Sequence, residues 1–171
     1  VLADVEEENV SVRCEKILRY LENSVGDLTG KRIIEIGCGG GIYSMIFARL
    51  GASITMLDYS SDALAIAERN LGTLDLEGEL IRADAFNLSA DYLGKYDVAM
   101  SFGTVEHYRY PRRLDICKVH VDLLRPGGVA IVSTPNIAFL PHETPSLIAE
   151  AAATRGLYVV PLEGGIRIGL C

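Results

Sequence analysis

The chain has no tryptophan, 7% aromatic residues and three histidines in 171 residues. Its four cysteines, Cys14, Cys38, Cys117 and Cys171, are scattered with no C-x-x-C pair, so neither a structural zinc site nor a disulfide framework is signalled. Positive charge is also short. Sixteen Lys and Arg stand against 23 Asp and Glu, a net charge of -7, which argues against nucleic acid as the main partner because a phosphate backbone calls for a basic face. No apolar run approaches the ~20 residues of a membrane span. The N-terminal V-L-A-D-V-E-E-E lacks the basic start and apolar middle of a signal peptide, so a cytoplasmic location is expected.

What is there is a globular composition, 49% hydrophobic and 23% charged, of a length that suits one domain over residues 1–171. Residues 1–30 are read as an N-terminal helix and turn, and 31–171 as the core. Val10, Cys14, Ile17, Leu18, Leu21 and Val25 recur at helical spacing, which predicts an amphipathic helix over Asn9 to Val25 with the Glu6–Glu8 run at its N-terminus.

The core opens on K-R-I-I-E-I-G-C-G-G-G, Lys31 to Gly41. Ile33, Ile34 and Ile36 predict a buried strand, and the glycines a turn in which backbone approaches a ligand closely. A helix from Ile42 to Leu50 would present its N-terminus to that ligand, as nucleotide sites commonly do. The spacing selects among nucleotides. The dinucleotide fingerprint wants glycine at the first, third and sixth places, whereas from Gly37 the sixth place is Ile42. Strand two, Ser53 to Leu57, ends at Asp58, where a carboxylate can accept from two ribose hydroxyls. Asp58 could instead cap the next helix, a task Ser60 or Ser61 can also perform.

Glu35-x-Gly37-x-Gly39-x-Gly41 resembles motif I of the class I S-adenosylmethionine-dependent methyltransferases. The resemblance continues in F-G-T-V-E-H-Y after strand four, in Leu123-Leu124-Arg125-Pro126-Gly127-Gly128 before strand five, and in Ser133-Thr134-Pro135-Asn136 at its end. It implies S-adenosylmethionine as cofactor. Asp58 would bind the ribose, Asp84 the adenine amino group, and the Ala85 amide a ring nitrogen. The cofactor-binding set expected is Glu35, Gly37, Cys38, Gly39, Gly41, Asp58, Tyr59, Asp84, Ala85 and Ser101. Phe86 would close over the base or serve as a core aromatic.

Strands alternating with helices, then Leu157 to Leu162 and Ile166 to Leu170 around Gly164-Gly165, predict an α/β fold ending in a hairpin. A helix from Thr144 to Gly156 precedes that hairpin. The implied sheet is doubly wound and seven-stranded, mostly parallel with an antiparallel last strand, in the order 3-2-1-4-5-7-6.

A sulfonium donor is already activated, so the protein supplies alignment and desolvation, with a base needed only for a hydroxyl or protonated amine acceptor. The candidates are Glu106, His107, Tyr108 and His142, with His107 and His142 preferred as catalytic residues. The expected acceptor is a small molecule methylated on oxygen or nitrogen. The alternative is a cofactor-binding regulatory or partner protein of this fold without turnover. Arg109, Arg112 and Arg113, clustered at a helix start where positive charge is disfavoured, either recruit an anionic acceptor or pair with the surplus carboxylates. Short loops after strands four and five leave the pocket open or completed by a second copy, so a homo-oligomer is accommodated.

Overall fold

A computed structural model describes residues 2–133 and, as backbone, the strands at 157–162 and 165–170. The chain forms two compact units, Val1–Asp84 and Ala85–Cys171.

The first unit begins with two helices where one was expected, α1 (Leu2–Asn9) and α2 (Val12–Val25). The break has a local cause. The Ser11 hydroxyl accepts from the Cys14 amide at 3.0 Å and so caps a new helix, which leaves Glu6–Glu8 inside α1. There follow β1 (Arg32–Ile36), α3 (Ile42–Arg49), β2 (Ser53–Asp58), α4 (Ser61–Leu74) and β3 (Glu79–Arg82). The strands are parallel in the order β3-β2-β1. Four successive residues of β1, from Ile33 to Ile36, are buried, as a strand covered on both faces requires. Ser60 caps α4 by accepting from Ala63, and the helix ends at Asp75 in the left-handed region.

The second unit carries β4 (Tyr96–Phe102), a 3-10 turn at Val105–His107, α5 (Arg112–Leu123), β5 (Leu124–Ser133), β6 (Leu157–Leu162) and β7 (Gly165–Leu170). β4 and β5 are parallel, while β7 runs antiparallel to both β5 and β6. Within each unit these are the neighbours that the expected order has there. The arrangement is an α/β Rossmann-like fold built on a parallel sheet. His142 and the helix expected from Thr144 to Gly156 lie outside the described residues.

The sequence from Pro111 to Leu124 reads as a helix with Leu114, Cys117, Val121 and Leu124 on one apolar face, yet the residues that α5 buries are Ile116, Cys117, His120 and Leu123. The helix is rolled so that His120 faces inward, where both ring nitrogens find partners.

Gly128, in the turn into the apolar part of β5, has no room for a side chain. A Cβ there would stand 2.9 Å from the Tyr96 carbonyl oxygen, 3.0 Å from that of Arg125 and 3.1 Å from that of Asp97. Gly72, exposed within α4, has nothing within 4 Å of the same position. Gly128→Ala should therefore destabilise by about 1–3 kcal/mol, and Gly72→Ala should stabilise by about 0.5–1 kcal/mol. Urea unfolding midpoints of the two variants check the opposite signs.

Candidate cofactor site

In the first unit the glycine turn is fastened to the end of β2. The Gly37 and Cys38 amides both donate to the Leu57 carbonyl, at 2.8 and 3.1 Å, and the Gly41 amide closes the turn on the Cys38 carbonyl at 2.8 Å. Gly37, Gly39 and Gly41 adopt φ of 67°, 52° and 74°, which explains their alternation, since side-chain-bearing residues rarely enter that region. Gly41 is constrained twice, because a Cβ would also stand 2.5 Å from the Met56 sulfur. Gly39 differs: no atom lies within 4 Å of where its Cβ would be, so its outer side is open to a ligand.

Asp58 is where it was expected, but it does more than was expected. One carboxylate oxygen accepts from the Gly39 amide at 3.1 Å and the other from the Ser60 amide at 2.9 Å, while Ser60 itself caps α4. The capping reading of Asp58 is thereby excluded. Each oxygen keeps a further lone pair that can accept another hydrogen bond. On the opposite side of the turn the Asn70 side-chain amide donates to the Gly40 carbonyl at 2.9 Å, a contact no sequence signal announced.

Glu35 faces inward from β1. Its carboxylate accepts from both the amide (3.2 Å) and the hydroxyl of Ser44 in α3, and it is 3% exposed. Burial pushes its pKa up to about 7 against the Ser44 bonds, with the Asp58 charge adding to the rise. The Cys38 thiol is buried in the turn, and burial with the nearby Glu35 and Asp58 charges drives its pKa far up. It therefore stays protonated rather than acting as a nucleophile. Tyr59 and Asp84 are exposed, and Ala85 is buried at the start of a 3-10 turn.

In the second unit Ser101 is fully buried near the end of β4, and its hydroxyl meets His120 Nε2 at 2.9 Å. His120 Nδ1 lies 2.8 Å from the Ile116 carbonyl. A carbonyl only accepts, so Nδ1 carries the proton and Nε2 accepts from Ser101. Burial holds His120 neutral and lowers its pKa to about 4, against the Ile116 bond. Sequence reading passed over His120 because a histidine on the helical stripe counts as polar. His107 is exposed on the 3-10 turn after β4. Its neighbour Glu106 has one carboxylate oxygen, Oε2, that is buried without a hydrogen-bond partner among the described residues. Phe86 and Tyr108 meet edge to face at 5.3 Å, and the Arg112 guanidinium lies 4.6 Å from the Phe86 ring centre. Arg113 donates to the carbonyls of Tyr108 (2.8 Å) and Glu106 (3.3 Å).

The family model described as methyltransferase domain matches residues 33–128, more than half of the chain. The chain is a class I S-adenosylmethionine-dependent methyltransferase family member. It is 32% identical over 119 residues to the ubiquinone biosynthesis O-methyltransferase of Shewanella pealeana, covering 70% of this chain and 50% of that protein. With the enzyme of the same name from Cronobacter sakazakii the identity is 34%, covering 70% and 48%. The chain thus spans about half the length of the curated relatives it matches. Among solved structures it shares its fold with magnesium protoporphyrin IX methyltransferase from Synechocystis PCC 6803, solved with bound S-adenosylmethionine (TM-score 0.71, 20% identity, 91% of this chain and 75% of that one). The cyclase SpnF has the same fold too (TM-score 0.64, 21% identity, 85% and 57%).

Glu35 and His120 oppose each other in proton linkage. Glu35 is raised from 4.5 to about 7, so the unfolded chain loses that proton first and stability falls as pH rises through this window. His120 is lowered from 6.5 to about 4, so the unfolded chain gains that proton first and stability falls as pH drops from 6.5 to 4. Glu35→Gln keeps an acceptor for Ser44 and removes the first slope. Its stability relative to wild type should rise between pH 4.5 and 8 by up to about 3 kcal/mol. Denaturant titrations across that range check this, and a pH-independent difference would contradict it.

Proposed function

We propose that this chain transfers a methyl group from S-adenosylmethionine to a small-molecule acceptor at an oxygen or nitrogen atom. The observation that carries the reading is the glycine turn held by Asp58, with Gly39 open on its outer side and the Asp58 oxygens retaining lone pairs. These features fit an adenosine with a vicinal diol. When bound, the cofactor supplies an activated methyl group on a sulfonium. Asp58 then accepts from the ribose hydroxyls, Asp84 and the Ala85 amide address the adenine, and the first turn of α3 faces the polar end. The names of the two relatives, both O-methyltransferases, favour an oxygen acceptor.

For an acceptor hydroxyl, we place Glu106 first among the candidates for the base, ahead of the order the sequence suggested. A buried carboxylate oxygen without a donor is costly, and an acceptor hydroxyl directed at it removes that cost. His107, exposed, Tyr108 and His142 remain the other candidates. Arg113 is occupied with loop carbonyls, which leaves Arg109, exposed, and Arg112, lying over Phe86, as the cations for an anionic acceptor. No helix among the described residues is long and apolar enough to cross a membrane. The free thiols of Cys14, Cys38 and Cys117 agree with a cytoplasmic setting. The second reading is a cofactor-binding regulatory or partner protein of this fold without turnover.

Calorimetry should show binding of S-adenosylmethionine and S-adenosylhomocysteine but not of NAD. Asp58→Ala should weaken either sulfur nucleoside by about 1.5–3 kcal/mol. It should also cost about 1–3 kcal/mol of stability, because the Gly39 and Ser60 amides lose a charged acceptor. NAD binding with no response to the sulfur nucleosides would overturn the proposal. Product formation across a hydroxyl and amine acceptor panel separates enzyme from binding protein.

With a methylated hydroxyl acceptor in hand, Glu106→Gln should slow the single-turnover rate about 10²–10⁴-fold while His107→Ala leaves it within a few fold. The reverse ranking would return the base to His107.

A further inference from the structure

Residues 2–25 lie outside the segment that matches the methyltransferase model, yet they are bonded to the helix that follows the glycine turn. Helix α1 packs on α3, but Val5 is its only buried residue, too little apolar surface to fix an eight-residue helix. What fixes it is a carboxylate. Glu8 accepts from the Tyr43 hydroxyl, from the Ser11 hydroxyl at 2.8 Å, and from Arg13 through Nε (3.2 Å) and a terminal nitrogen (3.0 Å). Burial raises the Glu8 pKa, but the bonds from Arg13, Tyr43 and Ser11 outweigh it and keep the carboxyl ionised. Tyr43, 5% exposed, stands two residues beyond Gly41 in the first turn of α3, with the Arg13 guanidinium 5.4 Å from its ring centre.

We propose that Tyr43 is a positioning residue for the cofactor, its bond to Glu8 making α1 a clasp whose closure is coupled to occupancy of the glycine turn. The inference rests on the reading of that turn as the S-adenosylmethionine site. The coupling follows from the chain path. The turn ends in Gly41, whose left-handed backbone joins it directly to α3, so the placement of the first helical turn and that of the ligand-facing amides are one variable. With the clasp closed, the first turn is fixed before the ligand arrives and less order has to be imposed on binding. With Glu8 and Tyr43 parted, α1 loses its main anchor, the binding-competent state is less populated, and apparent affinity falls by that fraction. By reciprocity the ligand must tighten the clasp by the same factor.

S-adenosylhomocysteine is the probe, with calorimetry and amide hydrogen exchange on the full chain as readouts. Wild type should bind it and show slowed exchange over residues 2–10 on binding. Tyr43→Phe, which removes one oxygen and keeps the ring, should bind it roughly 5–10-fold more weakly and lose most of that protection. Glu8→Gln should act in the same direction, and the double variant should be little worse than either single one. Circular dichroism and the melting midpoint without ligand verify that each variant is folded, and Tyr20→Phe, at a tyrosine of α2 that forms none of the Glu8 bonds, serves as the control that should leave affinity unchanged. Wild-type affinity in both folded variants, or exchange over residues 2–10 indifferent to ligand in wild type, would overturn the clasp while leaving the cofactor assignment intact. Wild type failing to bind S-adenosylhomocysteine would overturn the cofactor assignment, and the clasp with it.

Discussion

The bond from the Gly39 amide to the Asp58 carboxylate is the constraint on which the first unit depends. It crosses from the end of β2 to the turn after β1, so two adjacent parallel strands and the loop between β1 and α3 are held at one point. Once Asp58 is committed there and to the Ser60 amide, it cannot cap α4, and Ser60 must do so. Once Gly39 is drawn to Asp58, the turn must reverse through left-handed backbone at Gly37, Gly39 and Gly41. Asn70 secures the far side by its bond to Gly40. The carboxylate that organises the turn is also the group proposed to bind the ribose, and that role would couple loop geometry to cofactor recognition through a single residue.

The loop after β4 is held by different means. Arg112 and Arg113 open α5, where the helix dipole disfavours cations. Arg113 offsets that cost by donating to two carbonyls of the loop before the helix, and Arg112 by lying over the Phe86 ring. Neither of these contacts is the pairing with surplus carboxylates that the net charge suggested. The arginines act on the loop that carries Glu106, His107 and Tyr108.

The parts legible in the sequence are those fixed by short-range physics. Ile33 to Ile36 bounded by glycine reads as a buried strand because apolar runs and turn residues are local signals. Alternate glycines read as a turn because only glycine enters that backbone region freely, and Asp58 at the end of β2 follows from strand length. What escaped depended on partners distant in sequence. Glu35 is bonded by Ser44, nine residues on, and Ser101 by His120, nineteen residues on. The same contact explains the error in the face of α5: a hydropathy stripe treats histidine as a surface residue, whereas a neutral histidine with both nitrogens bonded is at home in a core. The break at Ser11 could have been seen, since serine is a preferred cap, but the apolar periodicity ran through it and was given priority.

Both units place a polar pair between a core strand and the helix packed with it, Glu35 with Ser44 and Ser101 with His120. Neither pair is an economical way to gain stability, because an apolar pair of equal volume avoids desolvation altogether. Their value lies in geometry. An apolar contact between helix and strand tolerates sliding by part of a turn, whereas a bonded pair is satisfied at one register and leaves a buried polar atom unmet at any other. The Glu35 pair sets the register of α3, hence the placement of the turn that precedes it. The Ser101 pair sets the roll of α5, hence where its first turn holds the loop carrying Glu106. Each register-setting pair therefore governs a neighbouring loop, the glycine turn or the loop after β4, where an error of a fraction of a turn would be felt as misplaced chemistry.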